Sequence, residues 1–378
     1  MMRYIVTILG LICLLACSNE EGESQQEQRA VGFGTYTEQF QTRGELRGAI
    51  PDGGSMGVYG YYHDGALWAT DAENNQPNFM WNQQATYSAE LDAFSYSPLK
   101  YWPNEENDKL SFIAYYPYSN GAADDGTQDD IESTGLTPNL TSSGKGLPTF
   151  DFTVKDEVAS QVDLLVSDLV TDLPQSRDTE GDPGTPFNDL SIYDKVTFLF
   201  HHALAKVEIR IVADAEIRKD LESFAIQSPG ITLTKIYKDG TLKPAYSAGA
   251  TTLSWDRHST TTSYTFKTYV PQLLMPQTLS IYATLSLTYT MTFKSDGTSY
   301  HYDGSGNIIT DQHYTYSNEA TIQLNKMKLT GSGEELTEWL PNHHYIYNIR
   351  LRANHIGFTG EVVDWGEYKT PPDIKIEE

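Results

Sequence analysis

A strictly alternating stretch, LSIYATLSLTYTMTF at residues 279–293, constrains the fold more than any other feature of the sequence. Apolar or aromatic side chains occupy every odd position from Leu279 to Phe293, and serine, threonine and tyrosine occupy the even positions. A period of two places these two sets on opposite faces of a β-strand. The stretch therefore predicts a long strand with one face in a core and the other in solvent.

Other candidate strands recur along the chain, and turn-forming Gly, Pro, Asn and Asp residues separate them. They cover residues 56–65, 110–121, 196–212, 313–324, 345–353 and 358–368. The 25 tyrosines of the chain also favour strands over helices. We predict an all-β protein built from antiparallel β-sandwich domains in tandem.

The densest cluster of residues that break regular structure, PQSRDTEGDPGTPFND at 174–189, lies near the middle of the chain. Such a cluster predicts a linker, and the length of the chain suits two domains. We therefore predict an amino-terminal sandwich over residues 48–190 and a carboxyl-terminal sandwich, with its tail, over residues 191–378.

Two stretches allow more than one interpretation. The periodicity of QVDLLVSDLV at 161–170 fits a short helix or a buried strand equally well. In VTFLFHHALAKVEIRIV at 196–212, the apolar positions change phase between Phe200 and Val207. A β-bulge or a bend near His201 would reconcile the two phases.

The first residues combine a basic start, an uncharged apolar core at 4–16 and a small residue at its end. This arrangement is typical of a secretory signal peptide and is too short for a membrane-spanning helix. Leu14–Cys17 resembles the bacterial lipobox, in which a diacylglycerol is attached to the cysteine and the signal, here residues 1–16, is removed. An ordinary secretory signal with a chance cysteine is the alternative.

The composition argues against disulfide bonds and against nucleic-acid partners. The only cysteines are Cys13 and Cys17, so the mature exported protein would contain no disulfide bond. The 26 basic and 51 acidic residues give a net charge of −25, which repels phosphate backbones. We expect no nucleic-acid partner.

Two arginines precede glycines in QTRGELRGAI at 41–50, which follows an extended-looking segment at 31–40. The glycines after Arg43 and Arg47 leave the backbone accessible to a trypsin-like protease. A plain linker that contains two arginines is the alternative.

The sequence contains no recognisable catalytic motif, and we expect no catalytic residue, cofactor or metal site. His201-His202 and His343-His344 are adjacent pairs, and neighbouring side chains of a strand point to opposite faces. The stretch 303–307, DGSGN, has calcium-loop spacing but lacks the required glutamate.

Three aromatic residues around the first predicted strand, Tyr61, Tyr62 and Trp68, allow a second interpretation of that region. Their rings could stack on sugars, or they could serve as core and edge packing.

Several motifs occur in a recognisable order after the lipobox and the Thr42-Arg43-Gly44 step. They are YWP at 101–103, LSFIAYYPYS at 110–119, DLLVSD at 163–168, FHHALAKVEIRI at 200–211, HHYIYNIRL at 343–351 and VVDWGE at 362–367. The ordered set resembles the fimbrillin family of Bacteroides-type bacteria. Members of this family are stalk, tip and accessory subunits of type V pili. The resemblance implies two transthyretin-like β-sandwich domains and no enzymatic activity.

The same resemblance implies a route of maturation. Family members are exported as lipoproteins, trimmed at an arginine near the amino end and then polymerised by strand exchange. Here it implies lipid on Cys17, a tether with a removable strand over residues 17–47, and cleavage after Arg43 or Arg47. The donor strand of the family comes from the carboxyl end, where GEYKTPPDIKIEE at 366–378 offers Ile374 and Ile376 as an alternating apolar pair.

We therefore expect a fimbrial subunit that supports adhesion, first as an outer-membrane lipoprotein and then in a surface fimbrium. The expected partners are other fimbrial subunits of the same or another kind, the outer membrane through the lipid on Cys17, a trypsin-like maturation protease, and a host or bacterial surface glycan or protein. The main alternative is a glycan-binding lipoprotein of the outer membrane. An exported hydrolase fits least, because no catalytic motif is present.

Overall fold

The structure is a computed structural model that describes residues 30–37, 50–70, 75–105, 107–123, 126–174, 195–215, 217, 221–261, 263–266, 270–294, 301–302, 305, 307–309, 313–352, 356–365 and 376–377. The strands in these ranges are, in chain order, β1 (Gly32–Thr37), β2 (Ser55–His63), β3 (Met80–Ser88), β4 (Ala93–Ser95), β5 (Lys109–Tyr116), β6 (Leu136–Pro138), β7 (Phe150–Thr153), β8 (Leu165–Ser167), β9 (Val170–Pro174), β10 (Lys195–His202), β11 (Ala205–Ala213), β12 (Leu221–Ile226), β13 (Ile231–Thr234), β14 (Asp239–Ser247), β15 (Ala250–Arg257), β16 (Tyr264–Phe266), β17 (Gln272–Leu274), β18 (Gln277–Thr278), β19 (Thr284–Lys294), β20 (His301–Tyr302), β21 (Ile308–Ile309), β22 (His313–Gln323), β23 (Glu338–Trp339), β24 (His343–Leu351), β25 (Ile356–Asp364) and β26 (Ile376–Glu377).

Helical structure is scarce in the same ranges. It consists of one short α-helix, α1 (Ile131–Thr134), and the 3₁₀ turns Trp68–Thr70, Val158–Ser160 and Leu324–Lys326. Within the described residues, no helix has the length and apolar character needed to cross a membrane. The predicted all-β class is confirmed, and the transthyretin-like layout of the strands stays a prediction.

The first sandwich is built on an eight-stranded sheet with the order β1-β10-β8-β5-β2-β3-β4 and with β9 paired to β5. This sheet curls until its edge strands β1 and β4 come into contact. The concave side encloses a core that includes Val58, Phe112 and Phe198. The curl therefore leaves β1 as the strand that closes the sheet on itself.

A smaller sheet, β15-β14-β7-β6, packs on the outer side of the curled sheet. Tyr59 and Tyr115 of the curled sheet meet Phe150 and Leu242 of the smaller sheet in a second core. Since the curled sheet is buried on both faces, β2 and β5 are apolar at successive positions instead of alternating.

The second sandwich consists of two sheets. One has the order β17-β11-β24-β25, and the other has the order β16-β13-β19-β12-β26 with β22 paired to β19. The core between them contains Leu285, Leu287 and Met291 from β19, as the alternating sequence predicts. This strand begins at Thr284, later than predicted, because residues 280–283 form a turn that leaves Ile281 exposed.

The structure decides between the alternatives for residues 161–170 and for the phase change near His201. Residues 161–170 contribute the strand β8 and the first residue of β9, so the strand interpretation is correct there. The phase change near His201 is a bend, because β10 ends at His202 in the first sandwich and β11 begins at Ala205 in the second. We call this passage, residues 203–204, the crossover.

The two halves of the sequence are interleaved in the structure. The strands β10, β14 and β15 all follow residue 191 but pair with strands of the first sandwich. The predicted linker lies mostly in residues 175–194, outside the described residues. Most strand pairs are antiparallel, as predicted, but β1–β10, β11–β24 and β12–β26 are parallel.

Candidate functional site

The strand β1 pairs in parallel with β10, in a register that runs from Gly32 opposite Lys195 to Thr37 opposite Phe200. On its other edge, β10 pairs with β8 only at Phe200–His202. Among the described residues, Lys195–Phe198 thus have no other ladder partner than β1. Removal of β1 would leave the backbone groups of this part of β10 unpaired.

The side chains of Val31 and Phe33 point into the core of the curled sheet, where they are 1% and 2% exposed. The Phe33 ring stacks on Phe198 at a centroid distance of 5.7 Å. It also lies 5.4 Å from Tyr96 and 6.1 Å from Phe112. A buried Val or Phe side chain contributes about 1.5–3 kcal/mol to stability, so these two residues hold β1 in place.

The other edge of β1 meets the segment that follows β4. The Val31 amide donates to the Lys100 carbonyl at 2.9 Å, and Ala30 forms an isolated antiparallel bridge with Tyr101. The Tyr96 hydroxyl donates to the Val31 carbonyl at 2.7 Å. The strand β1 therefore fills a cleft between β10 and residues 96–102, and we call this cleft the seam.

The lining of the seam is mostly apolar. Its buried side chains include Trp102, Phe112, Val196 and Phe198. Without β1, these side chains and one edge of β10 would face solvent. Such a cleft offers an extended peptide both a ladder of hydrogen bonds and pockets at alternate positions.

No pattern in the sequence indicates Tyr96 and Lys100, which contact β1 from positions more than sixty residues later. Their contacts depend on the curl of the sheet, and the local pattern of residues 93–101 is irregular. The apolar face of β10, by contrast, is visible in the sequence, because Val196, Phe198 and Phe200 occupy alternate positions.

The predicted lipidation residue Cys17 and the predicted cleavage residues Arg43 and Arg47 lie outside the described residues. Both arginines belong to residues 38–49, which connect β1 to Ile50. Ile50 is buried in the same core as Val31 and Phe33. A cut in this connection would separate the polypeptide of β1 from the rest of the sheet.

The structure does not support a sugar-stacking surface at the three predicted aromatic residues. Tyr61 and Trp68 are 0% and 1% exposed, and their rings pack edge to face at 4.9 Å. Tyr62 is partly exposed, and its hydroxyl donates to Asp108, which raises the Tyr62 pKa to about 12. Two of the three rings therefore serve as core packing.

No group of three or more His, Cys, Asp or Glu residues could hold a metal ion within the described ranges. The structure places three histidines of the two adjacent pairs beside carboxylates. His201 and His202 each lie beside one aspartate, Asp168 and Asp163 respectively, while His344 contacts Glu208. Each of these three histidines thus lies beside a carboxylate, and Glu208 also accepts two hydrogen bonds from Arg210.

Comparison with known proteins gives a consistent result. The sequence profile described as Fimbrillin-like matches residues 42–365. The fimbrium subunit Fim1C of Phocaeicola vulgatus is 29% identical over 230 residues, which are 59% of this chain and 54% of Fim1C. The chain thus matches about half the length of that relative.

Among solved structures, the chain is similar to a fimbrial protein from Bacteroides vulgatus ATCC 8482, with a TM-score of 0.55 and 19% identity. The similarity covers 89% of this chain and 99% of that protein, so the two share a fold. Together with the profile match over most of the sequence, this shows that the chain belongs to the fimbrillin-like family.

Proposed function

We propose that the chain is a fimbrial subunit of the cell surface and that it assembles by strand exchange at the seam. The observation that carries the proposal is that β1 fills an apolar cleft and is the ladder partner of Lys195–Phe198. Family membership and the similarity to Fim1C support the fimbrial role. The described residues offer no arrangement that favours catalysis.

Cleavage after Arg43 or Arg47 is the step that makes exchange possible. While residues 38–49 are intact, β1 is held at the seam by its own polypeptide and competes with any other strand at high effective concentration. After cleavage, β1 is held only by its contacts, and a strand from another subunit can replace it. The precursor is therefore a closed monomer, and the cleaved form is a building block.

Export as a lipoprotein on Cys17 would bring the precursor to the outer membrane before cleavage. The partners that follow are a trypsin-like protease and other fimbrial subunits. Head-to-tail exchange between identical or related subunits joins unlike surfaces, and it grows a fibre when the repeated rotation does not close a ring. Adhesion to a surface glycan or protein would then be a property of the fibre.

A disulfide bond between β1 and β10 tests strand exchange directly. Gly34 and Thr197 lie directly opposite each other in the ladder, and a Cβ built on Gly34 meets the Thr197 hydroxyl oxygen at 3.7 Å, so the side chains of Gly34→Cys and Thr197→Cys would lie side by side on one face. We expect the oxidised double variant to remain monomeric after trypsin cleavage of the full-length protein. Reduction should release β1 and allow oligomers to form.

Each single variant, treated with the same oxidant and protease, is the control and should assemble like the parent protein. Oligomers that resist unheated gel electrophoresis report assembly. If the oxidised double variant formed these oligomers as readily as its reduced form, strand exchange at the seam would be excluded.

A further inference from the structure

The strands β3 and β4 diverge at one edge of the curled sheet. They pair only where Thr86–Ser88 lies opposite Ala93–Ser95. The earlier part of β3, Met80–Ala85, has no ladder partner on this edge within the described residues. The two strands therefore open into a fork between residues 83–84 and residues 96–97.

A cavity of about 390 Å³ lies in this fork, and we call it the fork pocket. All of its lining side chains are polar and none carries a formal charge. They are Gln83, Gln84, Thr86, Ser95, Tyr96 and Ser97. The volume is within the range of about 300–1,000 Å³ that is usual for small-molecule sites. Such a lining suits a ligand that is itself polar and uncharged.

The two glutamine side chains are held in place by their amide nitrogens. The Gln83 Nε2 donates to the carbonyl oxygens of Gln84 at 3.1 Å and of Ser97 at 3.2 Å. The Gln84 Nε2 donates to the Ser55 hydroxyl at 3.3 Å, and that hydroxyl lies 2.8 Å from the Thr86 hydroxyl. Within the described part of the chain, neither amide oxygen accepts a hydrogen bond. Both oxygens are thus acceptors for a ligand, in positions that are fixed before it binds.

The aromatic wall of the fork pocket is the ring of Tyr96. Its hydroxyl donates to the Val31 carbonyl at 2.7 Å, and its ring centroid lies 5.4 Å from that of Phe33. The hydroxyl is therefore used inside the sandwich, and the ring is held against β1. A fixed ring of this kind offers the C–H groups of a sugar an apolar surface beside the two amide oxygens.

An open strand edge could instead bind a peptide strand, but two features of β3 oppose this. The Gln83 side chain already donates to the backbone carbonyl of Gln84. Asn82 has a positive φ of 42° and lies at the register shift between Val58 and Gly60. A bulge of this kind bends a strand and disrupts a regular ladder. An extended peptide would therefore find no straight edge of free backbone groups.

From these features we infer that the fork pocket binds a neutral sugar of a surface glycan. Sugar hydroxyls can donate to the two amide oxygens and exchange hydrogen bonds with the hydroxyls of the lining. An anionic sugar would meet no lining cation and would be repelled by a chain whose net charge is −25. The inference rests on the proposed adhesive role of the subunit and adds the site and the class of ligand. It does not depend on strand exchange, because all lining residues belong to one molecule.

The full-length, uncleaved protein is tested on an array of immobilised oligosaccharides that holds neutral, sialylated and sulfated forms. We expect it to bind neutral oligosaccharides. The double variant Gln83→Ala, Gln84→Ala should bind them about tenfold more weakly, because two fixed acceptors are lost. The matched control is Gln227→Ala, Gln323→Ala, which removes two exposed glutamines of the second sandwich and should bind like the parent.

The variant Ser95→Trp keeps both glutamines and fills the fork pocket instead. Ser95 is exposed on β4, and tryptophan is well tolerated in strands. We expect this variant to lose binding as the glutamine variant does. Unchanged circular dichroism and thermal midpoint show that each variant is folded.

Three results would overturn the inference. They are the absence of binding to every neutral oligosaccharide, binding confined to sialylated or sulfated forms, and full binding by both pocket variants. A synthetic peptide of residues 91–99 is tested in parallel, and its binding by a parent protein that binds no sugar would show that the fork accepts a strand.

Assembly after trypsin cleavage, measured on the same variants, separates this inference from the proposed function. We expect both pocket variants to form oligomers like the parent, since they leave β1 and β10 unchanged. If the parent binds neutral sugars but forms no oligomers, strand exchange is wrong and the sugar site stands. If it forms oligomers but binds no sugar, the reverse holds.

Discussion

At the scale of single residues, the most unusual feature of the described chain is a buried charged cluster in the second sandwich. Glu208 and Arg210 lie on β11 with little exposure, and the two guanidinium hydrogen bonds of Arg210 reach both carboxylate oxygens. The His344 ring nitrogen Nε2 lies 3.3 Å from the same carboxylate. Burial alone raises the Glu208 pKa, but the contacts with His344 and Arg210 outweigh burial and hold the pKa below its usual range.

This lowered pKa predicts a dependence of stability on pH. Ionised Glu208 stabilises the fold above the pKa of an unfolded glutamate, about 4.3, and the contribution is lost as the pH falls through the lower folded pKa. The variant Glu208→Gln leaves Arg210 buried without its counter-charge, which should cost about 3 kcal/mol at pH 7. Urea unfolding should show this difference shrinking below about pH 4.

Glu319→Gln is the control for this measurement, because Glu319 is exposed on β22 and its replacement should change stability by less than about 0.5 kcal/mol. A Glu208→Gln deficit of equal size at pH 3 and pH 7 would show that the charge of Glu208 does not stabilise the fold.

The residue scale also shows what sequence patterns can identify. Alternation correctly predicted the buried side of β19, where Leu285, Leu287 and Met291 lie in the core. The pattern could not distinguish a sugar-stacking ring from a core ring, because Tyr61 on β2 and Trp68 shortly after it would look the same in the sequence in either role. That distinction depends on which face a second sheet covers, and the smaller sheet comes from distant parts of the chain.

At the scale of elements, β1 is the part of the candidate site that the sequence predicted best. Residues 31–40 were expected to be extended, and Gly32–Thr37 form a strand. Its partner was not predictable from pattern, because β10 is more than 150 residues away and the pair is parallel. Nor could a local pattern show that the hairpin β14–β15 joins the first sandwich.

If another strand can take the place of β1, a synthetic peptide with the sequence of β1 should bind in the seam. We expect a chain that lacks residues 1–47 to self-associate, because the lining of the seam and the edge of β10 are exposed. A peptide of residues 30–40 should restore the monomer by filling the seam. Sedimentation velocity with increasing peptide measures this effect.

The matched control for this experiment is the same peptide with Val31→Asp and Phe33→Asp, which keeps the backbone but cannot enter the two pockets. We expect it to leave the truncated chain associated. Equal activity of the two peptides would mean that the pockets of Val31 and Phe33 do not select the strand.

At the scale of the whole molecule, the first and the last described strands lie in different sandwiches. The strand β1 pairs with β10 in the first sandwich, and β26 pairs with β12 in the second. Contacts between unlike surfaces repeat from copy to copy in one direction. One short passage, from β10 in the first sandwich into β11 in the second, joins the two sandwiches directly.

The chain is strongly acidic, with a net charge of −25 over the full sequence, and this opposes assembly because copies brought together repel one another. Salt screens this repulsion, and the screening length falls from about 30 Å at 0.01 M to about 10 Å at 0.1 M. We therefore expect cleaved protein to form oligomers faster as sodium chloride rises from 0.01 to 0.3 M, by light scattering at constant protein concentration. The oxidised Gly34→Cys, Thr197→Cys variant controls for nonspecific salting out and should stay monomeric throughout. Slower assembly at higher salt would show instead that attractive charge pairs between the ends outweigh the repulsion of the two bodies.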